Sequence, residues 1–160
     1  MEIKVADKAG FCFGVGRAVK IAYDTAKGDG KNICTYGMLI HNRDVTADLE
    51  DMGVFCVENI HDIPIKSVVI IRAHGISETE QNILAEKETQ IIDATCPFVK
   101  RIHKIVKEEY KNGRQIVIAG DKNHPEVKGI NGWCQNSAII IGADENYDEI
   151  LQKNSEIPLT

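Results

Sequence analysis

Residues 12–21, CFGVGRAVKI, return 84 residues later as CPFVKRIHKI (96–105), and the two stretches are identical at five of ten positions. The shared pattern is Cys-x-x-Val-x-Arg-x-x-Lys-Ile. In both copies a cysteine stands directly before apolar residues at helical spacing. The repeat therefore predicts two copies of one structural unit, each with a cysteine at the start of a helix.

A second motif repeats at nearly the same distance. Gly37 and His41 form a Gly-x-x-x-His motif after an apolar run, and Gly120 and His124 form the same motif 83 residues after the first. Both units therefore contain, in the same order, a cysteine, a helix, a strand and a histidine. This order predicts two consecutive α/β units that each place one thiol and one imidazole in loops.

Short runs rich in Val and Ile alternate with helical stretches along the whole chain. Strands are expected at 2–6, 32–36, 67–73, 90–93, 115–119 and 138–142, and helices at 14–27, 43–52, 78–87, 97–111 and 145–153. The apolar runs lack polar alternation, which is typical of strands buried on both faces of a parallel sheet. We expect an α/β fold of two pseudo-equivalent parallel-sheet units, at 1–95 and 96–160, the second one incomplete.

Composition narrows the class of partner and the compartment. The 160 residues are 43% hydrophobic and 27% charged, with a net charge of −5, which argues against nucleic acid or an anionic membrane as a partner. No apolar run approaches the roughly 20 residues of a membrane span. The start of the chain lacks the basic and then apolar pattern of a signal peptide. We therefore expect a cytoplasmic protein.

The five cysteines divide into two groups. The reducing cytosol disfavours disulfides. The chain contains no Cys-x-x-Cys pair, so a zinc ribbon is not expected. Cys34, Cys56 and Cys134 are predicted to be small buried apolar residues. Cys12 and Cys96 differ because a helix N-terminus stabilises a thiolate, which is the form that binds metals and attacks electrophiles.

Three histidines follow apolar strands, and ligands of open α/β sheets bind beyond the carboxyl ends of strands. His41, His74 and His124 are therefore candidate ligand-binding residues on one side of the molecule. Glu126, two residues after His124, is either a solvated carboxylate or its partner in proton transfer. Two thiolates are too few for a closed zinc or iron–sulfur site. This shortage points to a third unit outside these 160 residues.

Five motifs, taken in order, resemble those of a known family. The chain is similar to the 4-hydroxy-3-methylbut-2-enyl diphosphate (HMBPP) reductases, also called the LytB family, and specifically to their N-terminal portion. The motifs are AGFCFGV (9–15), GMLIHN (37–42), RAHGIS (72–77), DATCPFV (93–99) and HPEVKG (124–129). Members of this family have three similar α/β units around a central iron–sulfur cluster, in agreement with the internal repeat.

The resemblance implies a cofactor. By this resemblance Cys12 and Cys96 are two of the three ligands of a [4Fe–4S] cluster, and the third cysteine lies beyond Thr160. In one alternative, residues 1–12 would belong to the sheet of the missing third unit and not to that of the first unit. We expect the 160-residue chain to be inactive alone and to self-associate through uncovered apolar surface.

The resemblance also implies a reaction, the last step of the non-mevalonate isoprenoid pathway. HMBPP would lose its hydroxyl group reductively and give isopentenyl and dimethylallyl diphosphates, with electrons from ferredoxin or flavodoxin. His41, His74 and His124 would bind the diphosphate, and His124 and Glu126 would handle protons. Two alternatives remain: a non-catalytic α/β module without a cluster, and a zinc or thiol hydrolase that uses the same loops.

Overall fold

A computed structural model describes residues 2–7, 9–28, 32–145 and 150. Helices and strands alternate, as expected for an α/β chain. In chain order they are α1 (Phe13–Ala26), β1 (Ile33–Tyr36), α2 (Arg43–Asp51), β2 (Val54–Val57), a 3-10 turn (Ile60–Asp62), β3 (Val68–Ile71), α3 (Glu78–Glu86), β4 (Gln90–Asp93), α4 (Pro97–Lys111), β5 (Val117–Ala119), α5 (Pro125–Gly132) and β6 (Ile139–Ile141).

The strands form two separate parallel sheets. The first has four strands in the order β2-β1-β3-β4, and the second pairs β5 with β6. Ile33 at the start of β1 lies opposite Val54 on one side and Val68 on the other. We call β1 to β4 with α1 to α3 the four-stranded unit, and α4 to β6 the two-stranded unit. The parallel α/β fold class is thus confirmed, whereas the boundary at residues 95 and 96 stays a prediction.

Both faces of the larger sheet are covered, which explains the uninterrupted apolar strands. Val68 and Ile70 of β3 face the core beneath α1 and α2, and Val69 and Ile71 face the core on the α3 side. All four residues are buried. A strand buried on both faces needs apolar residues at every position. The two-stranded unit has its own core, formed by Val106, Ile118, Val127, Ile130 and Cys134.

Helix α4 carries two apolar stripes, one buried and one exposed. Val99, His103 and Val106 recur at helical spacing on its buried face. A second stripe on the same helix remains substantially exposed, and it consists of Phe98, Ile102 and Ile105. This exposed stripe is compatible with self-association, which stays a prediction. No helix among the described residues is long and apolar enough to cross a membrane.

The expected strand at 2–6 is wrong. Residues 2–6 have no regular secondary structure, and Ile3 and Val5 are 75% and 77% exposed. The stretch has no strand neighbour among the described residues, and β-structure needs a neighbouring strand to satisfy its backbone groups. The expected helix at 145–153 falls almost wholly outside the described residues.

Two elements were missed by the sequence reading. Strand β2 lies at the edge of the sheet and follows directly after Gly53, whose φ of 84° ends the preceding helix. Helix α5 contains Gly129 and Gly132, which lower helix propensity by about 1 kcal/mol each. Both glycines are buried, so tertiary packing rather than local preference forms this helix.

Candidate active site

Two cysteines occupy equivalent positions at helix starts. Cys12 is the N-cap of α1 and Cys96 is the N-cap of α4, and neither side chain caps its helix by a hydrogen bond. The carbonyl oxygen of Cys12 accepts from the N–H of Gly16 at 2.9 Å, and that of Cys96 accepts from Lys100 at 3.0 Å. The repeat in sequence is therefore a repeat in structure. Both thiols are left available at the positive end of a helix dipole.

The two helix N-termini meet. Gly14, in the first turn of α1, is buried against Cys96, and a Cβ built on Gly14 would come within 2.5 Å of the Cys96 Sγ. The Arg17 guanidinium donates a hydrogen bond of 3.2 Å to the carbonyl oxygen of Thr95. These contacts bring the Cys96 thiol beside the turn that follows Cys12. Two thiols at converging helix N-termini are a donor set that suits an iron–sulfur group.

Three histidines converge from three loops. His41 and His74 belong to the four-stranded unit, and His124 belongs to the two-stranded unit. Their ring centroids lie 5.0 Å (His41 to His74), 5.5 Å (His74 to His124) and 6.2 Å (His41 to His124) apart. One ring nitrogen from each lies within 4.8 Å of the others. We call these three residues the histidine group.

The histidine group adjoins the N-terminal turn of α1. A cavity of about 240 Å³ is lined by two of these histidines and by residues from α1 and from the loop after β1. Its lining also includes Phe11, which directly precedes Cys12 in the chain. The lining residues are Phe11, Val15, Ile40, His41, Asn42 and His74. The cavity therefore joins the imidazoles to the thiol end of α1.

The basic groups around His74 create an environment that suits an anion. Burial lowers the pKa of His74 to about 4, and the neighbouring basic groups His41, Arg72 and His124 act in the same direction. The Nδ1 of His74 and the Nε of Arg72 are buried without a hydrogen-bond partner among the described residues. Buried polar groups normally have partners, so these atoms are consistent with a site completed by a ligand. Arg72 was not identified from sequence, although it lies two residues before His74.

The hydrogen bond at His124 indicates whether the site suits an anion or a metal cation. His124 is the N-cap of α5, and its Nδ1 accepts from the backbone N–H of Glu126 at 3.2 Å. A neutral imidazole that accepts at Nδ1 carries its proton at Nε2. An Nε2–H group can donate to an anionic oxygen, whereas a metal ion would need a lone pair there. The arrangement therefore favours an anion over a zinc ion, which weakens the metallohydrolase alternative.

The remaining cysteines lie elsewhere. Cys34 and Cys134 are buried in the two cores, as predicted. The prediction of a buried Cys56 is wrong, since this residue is exposed on edge strand β2 and its Sγ lies 3.4 Å from a carboxylate oxygen of Glu58. None of these three belongs to the loops that carry Cys12 and Cys96. Within the described residues, the thiol pair therefore has no third cysteine.

The fold and the site define a class: a parallel α/β protein with three converging histidines and with two cysteines at helix N-termini. The sequence model of the family described as LytB protein matches residues 3–159. The chain therefore belongs to the LytB family. Its resemblance to this family, seen first in the five motifs, is confirmed.

Two curated relatives with high coverage of this chain share one name. The chain is 46% identical over 156 residues to the 4-hydroxy-3-methylbut-2-enyl diphosphate reductase of Clostridioides difficile (strain 630), covering 98% of this chain and 56% of the relative. It is 46% identical over 155 residues to the reductase of the same name from Thermoanaerobacter sp. (strain X514), covering 95% of this chain and 54% of the relative. The chain thus spans about half the length of these curated relatives.

Solved structures agree with the fold. A structure of (E)-4-hydroxy-3-methyl-but-2-enyl diphosphate reductase, described as the terminal enzyme of the non-mevalonate pathway, matches with a TM-score of 0.77 and 38% identity, over 94% of this chain and 53% of that one. A structure of the E-1-hydroxy-2-methyl-but-2-enyl-4-diphosphate reductase from Plasmodium falciparum matches with a TM-score of 0.83 and 33% identity, over 92% of this chain and 45% of that one.

Proposed function

We propose that this chain contributes half of the active site of an HMBPP reductase, an iron–sulfur oxidoreductase of isoprenoid biosynthesis. The observation that carries the proposal is the convergence of the histidine group with the thiol end of α1, where Gly14 packs against Cys96. An anion site and two metal-binding thiols in one place suit a phosphorylated substrate that is reduced at a cluster. The names of the relatives support this assignment.

Cys12 and Cys96 would hold the cluster. Both side chains lie at helix N-termini without a capping hydrogen bond, so their thiolates are available for iron. A third thiolate would come from outside the described residues, beyond Thr160. The [4Fe–4S] cluster, when bound, supplies the electrons that cleave the substrate's carbon–oxygen bond. We expect the 160-residue chain alone to be inactive, because two cysteines do not complete such a site.

The histidine group would bind the diphosphate. The Nε2–H of His124 donates to a phosphate oxygen, and His41 and His74 approach the same ligand from the four-stranded unit. Arg72 adds a fixed positive charge behind His74. Hydrogen bonds to a charged oxygen are about twice as strong as neutral ones. Binding therefore holds the substrate by its diphosphate and leaves its hydroxyl end to the thiol side of the site.

Glu126 and His124 would handle the protons. Removal of the hydroxyl group takes two electrons and two protons, and the oxygen leaves as water. Glu126 lies in the first turn of α5, and its backbone N–H fixes the ring of His124. We assign Glu126 as the proton donor to the leaving oxygen and His124 as its neighbour on the diphosphate. Low-potential electrons would come from ferredoxin or flavodoxin in the cytoplasm.

The proposal is tested in the full-length protein, reconstituted anaerobically with iron and sulfide and assayed with HMBPP and a chemical reductant. Cys96→Ser should lose most of its iron and at least about 100-fold of the turnover. Cys56→Ser is the matched control, because Cys56 is an exposed cysteine outside the site, and it should stay within about twofold. A Cys96→Ser protein with normal iron content and turnover would exclude the proposed role.

A further inference from the structure

One buried histidine lies outside the site described above. His103 is on α4, two turns beyond Cys96, and only 5% of its surface is exposed. A Cβ built on Gly75 would lie 2.6 Å from its Cε1, and a Cβ built on Gly129 would lie 3.7 Å from its Nε2. The ring therefore occupies the space between the loop after β3 and helix α5.

The two glycines adjoin the histidine group. Gly75 directly follows His74, and Gly129 lies in α5, the helix that begins after its N-cap His124. Gly75 also has a φ of 72°, so a side chain there would be strained as well as obstructed. A single imidazole thus contacts the supports of two anion-binding histidines, one from each unit.

Trp133 holds the His103 ring in place. The two rings are stacked, with centroids 5.3 Å apart and planes 22° from parallel. The indole N–H of Trp133 donates a 2.9 Å hydrogen bond to the carbonyl oxygen of Ile76, two residues after His74. The Nζ of Lys107, one turn further along α4, lies 5.3 Å from the centroid of the Trp133 ring. Trp133 therefore links the His103 ring to the loop that carries His74.

Hydrogen bonding does not account for the burial of His103. Its Nε2 is buried without a partner among the described residues, which costs free energy rather than gaining it. What the neighbours use is the shape of the ring, since the missing side chain of Gly75 leaves the space that it fills and Gly129 lies next to it. A flat side chain of this size serves as a spacer between the two units.

We propose that His103 is a positioning residue, whose ring sets the separation between the His74 loop and α5 and thereby the geometry of the histidine group. The identity of the physiological anion rests on the proposed function. The separation between the His74 loop and α5 does not depend on it. Inorganic pyrophosphate is a suitable probe, because it presents the diphosphate without the rest of the substrate.

The test compares variants of the full-length protein by calorimetric titration with pyrophosphate. His103→Ala should bind about tenfold more weakly, since removal of the ring lets the His74 loop and α5 approach each other. His103→Phe retains a flat ring and should bind within about twofold of the parent chain. Val106→Ala, a truncation one turn along the same buried face, is the control, and it should lower stability while leaving pyrophosphate affinity within about twofold.

A second readout needs no ligand. The NMR shifts of the ring C–H groups of His41, His74 and His124 should move in His103→Ala and remain in place in Val106→Ala. Absence of pyrophosphate binding by the parent chain would count against the proposed anion site, and the shifts would then decide the spacing alone. Unmoved shifts in His103→Ala would overturn the inference. A His103→Phe chain as weak as His103→Ala would do the same, because ring polarity and not shape would then matter.

Discussion

The Cys96 thiol lies directly against the backbone of Gly14, 82 positions earlier in the sequence. A Cβ at position 14 would meet both the Sγ and the Cβ of Cys96, at 2.5 and 3.0 Å. The absence of a side chain at position 14 thus fixes where α1 and α4 can meet. It also fixes where the Cys96 thiol points.

The first prediction concerns this contact. Gly14→Ala should preserve helix α1 itself, because alanine is favoured by about 1 kcal/mol over glycine inside a helix. The added methyl group should displace the Cys96 thiol and lower the iron content of the reconstituted full-length protein by at least about half. Gly16→Ala is the matched control, since a Cβ there meets only the Phe11 Cβ at 4.0 Å. Equal iron content in both variants would contradict the prediction.

The second prediction concerns protons taken up with the anion. The pKa of His74 is about 4 because the ring is buried among positive groups, and a bound anion should raise it. Binding should therefore take up protons near pH 6, and this contribution should strengthen binding as the pH falls. Calorimetry with pyrophosphate in buffers of different ionisation enthalpy measures the uptake. His74→Gln should lose part of it and exposed His61→Gln should not; equal uptake in the two variants would refute the assignment to His74.

The third prediction concerns stability in acid. Burial lowers the pKa of His103 to about 4, although nearby Asp93 opposes the shift, while the unfolded chain has a value near 6.5. The unfolded state therefore binds more protons between these values, and stability falls as the pH drops from 6.5 towards 4. The expected loss is on the order of 2 kcal/mol. Urea unfolding at pH 7 and pH 4.5 should show a smaller loss for His103→Phe, and parallel pH profiles would contradict this.

The fourth prediction concerns the start of α3. The Glu80 carboxylate accepts from the backbone N–H of Ser77 at 2.7 Å, from its hydroxyl at 2.6 Å and from Tyr36 at 2.5 Å. Burial alone would raise the pKa of Glu80, but these hydrogen bonds outweigh it and lower the pKa. Glu80→Ala should cost about 2 kcal/mol of unfolding free energy. Exposed Glu86→Ala on the same helix should cost less than about 0.5 kcal/mol, and equal losses would argue against the capping role.

The parts of the fold that follow local rules could be predicted from sequence. Uninterrupted Val and Ile runs such as Val68–Ile71 indicated a parallel sheet, because both faces of that sheet are covered by helices. The repeat indicated that Cys12 and Cys96 head equivalent helices. The convergence of the histidines followed from the rule that the loops after parallel strands share one edge.

The parts that depend on contacts distant in sequence could not be predicted. Helix α5 forms despite two glycines, and the missing side chain of Gly132 lets it approach Ser77 in the loop after β3. The roles of His103 and Trp133 arise from a stack between residues 30 positions apart and from a hydrogen bond to Ile76. No periodicity in one segment reports such contacts, because each depends on how two finished elements pack.

The histidine group has a consequence for folding. His41 and His74 come from one unit and His124 from the other, so an anion that touches all three binds only when the units are assembled. A ligand that binds only the native state adds stability that grows with the logarithm of its concentration, about 2.7 kcal/mol at 100 times its dissociation constant. In a cell rich in the diphosphate proposed above, that ligand would therefore protect the chain from unfolding and proteolysis, and the abundance of the protein would follow the supply of the ligand.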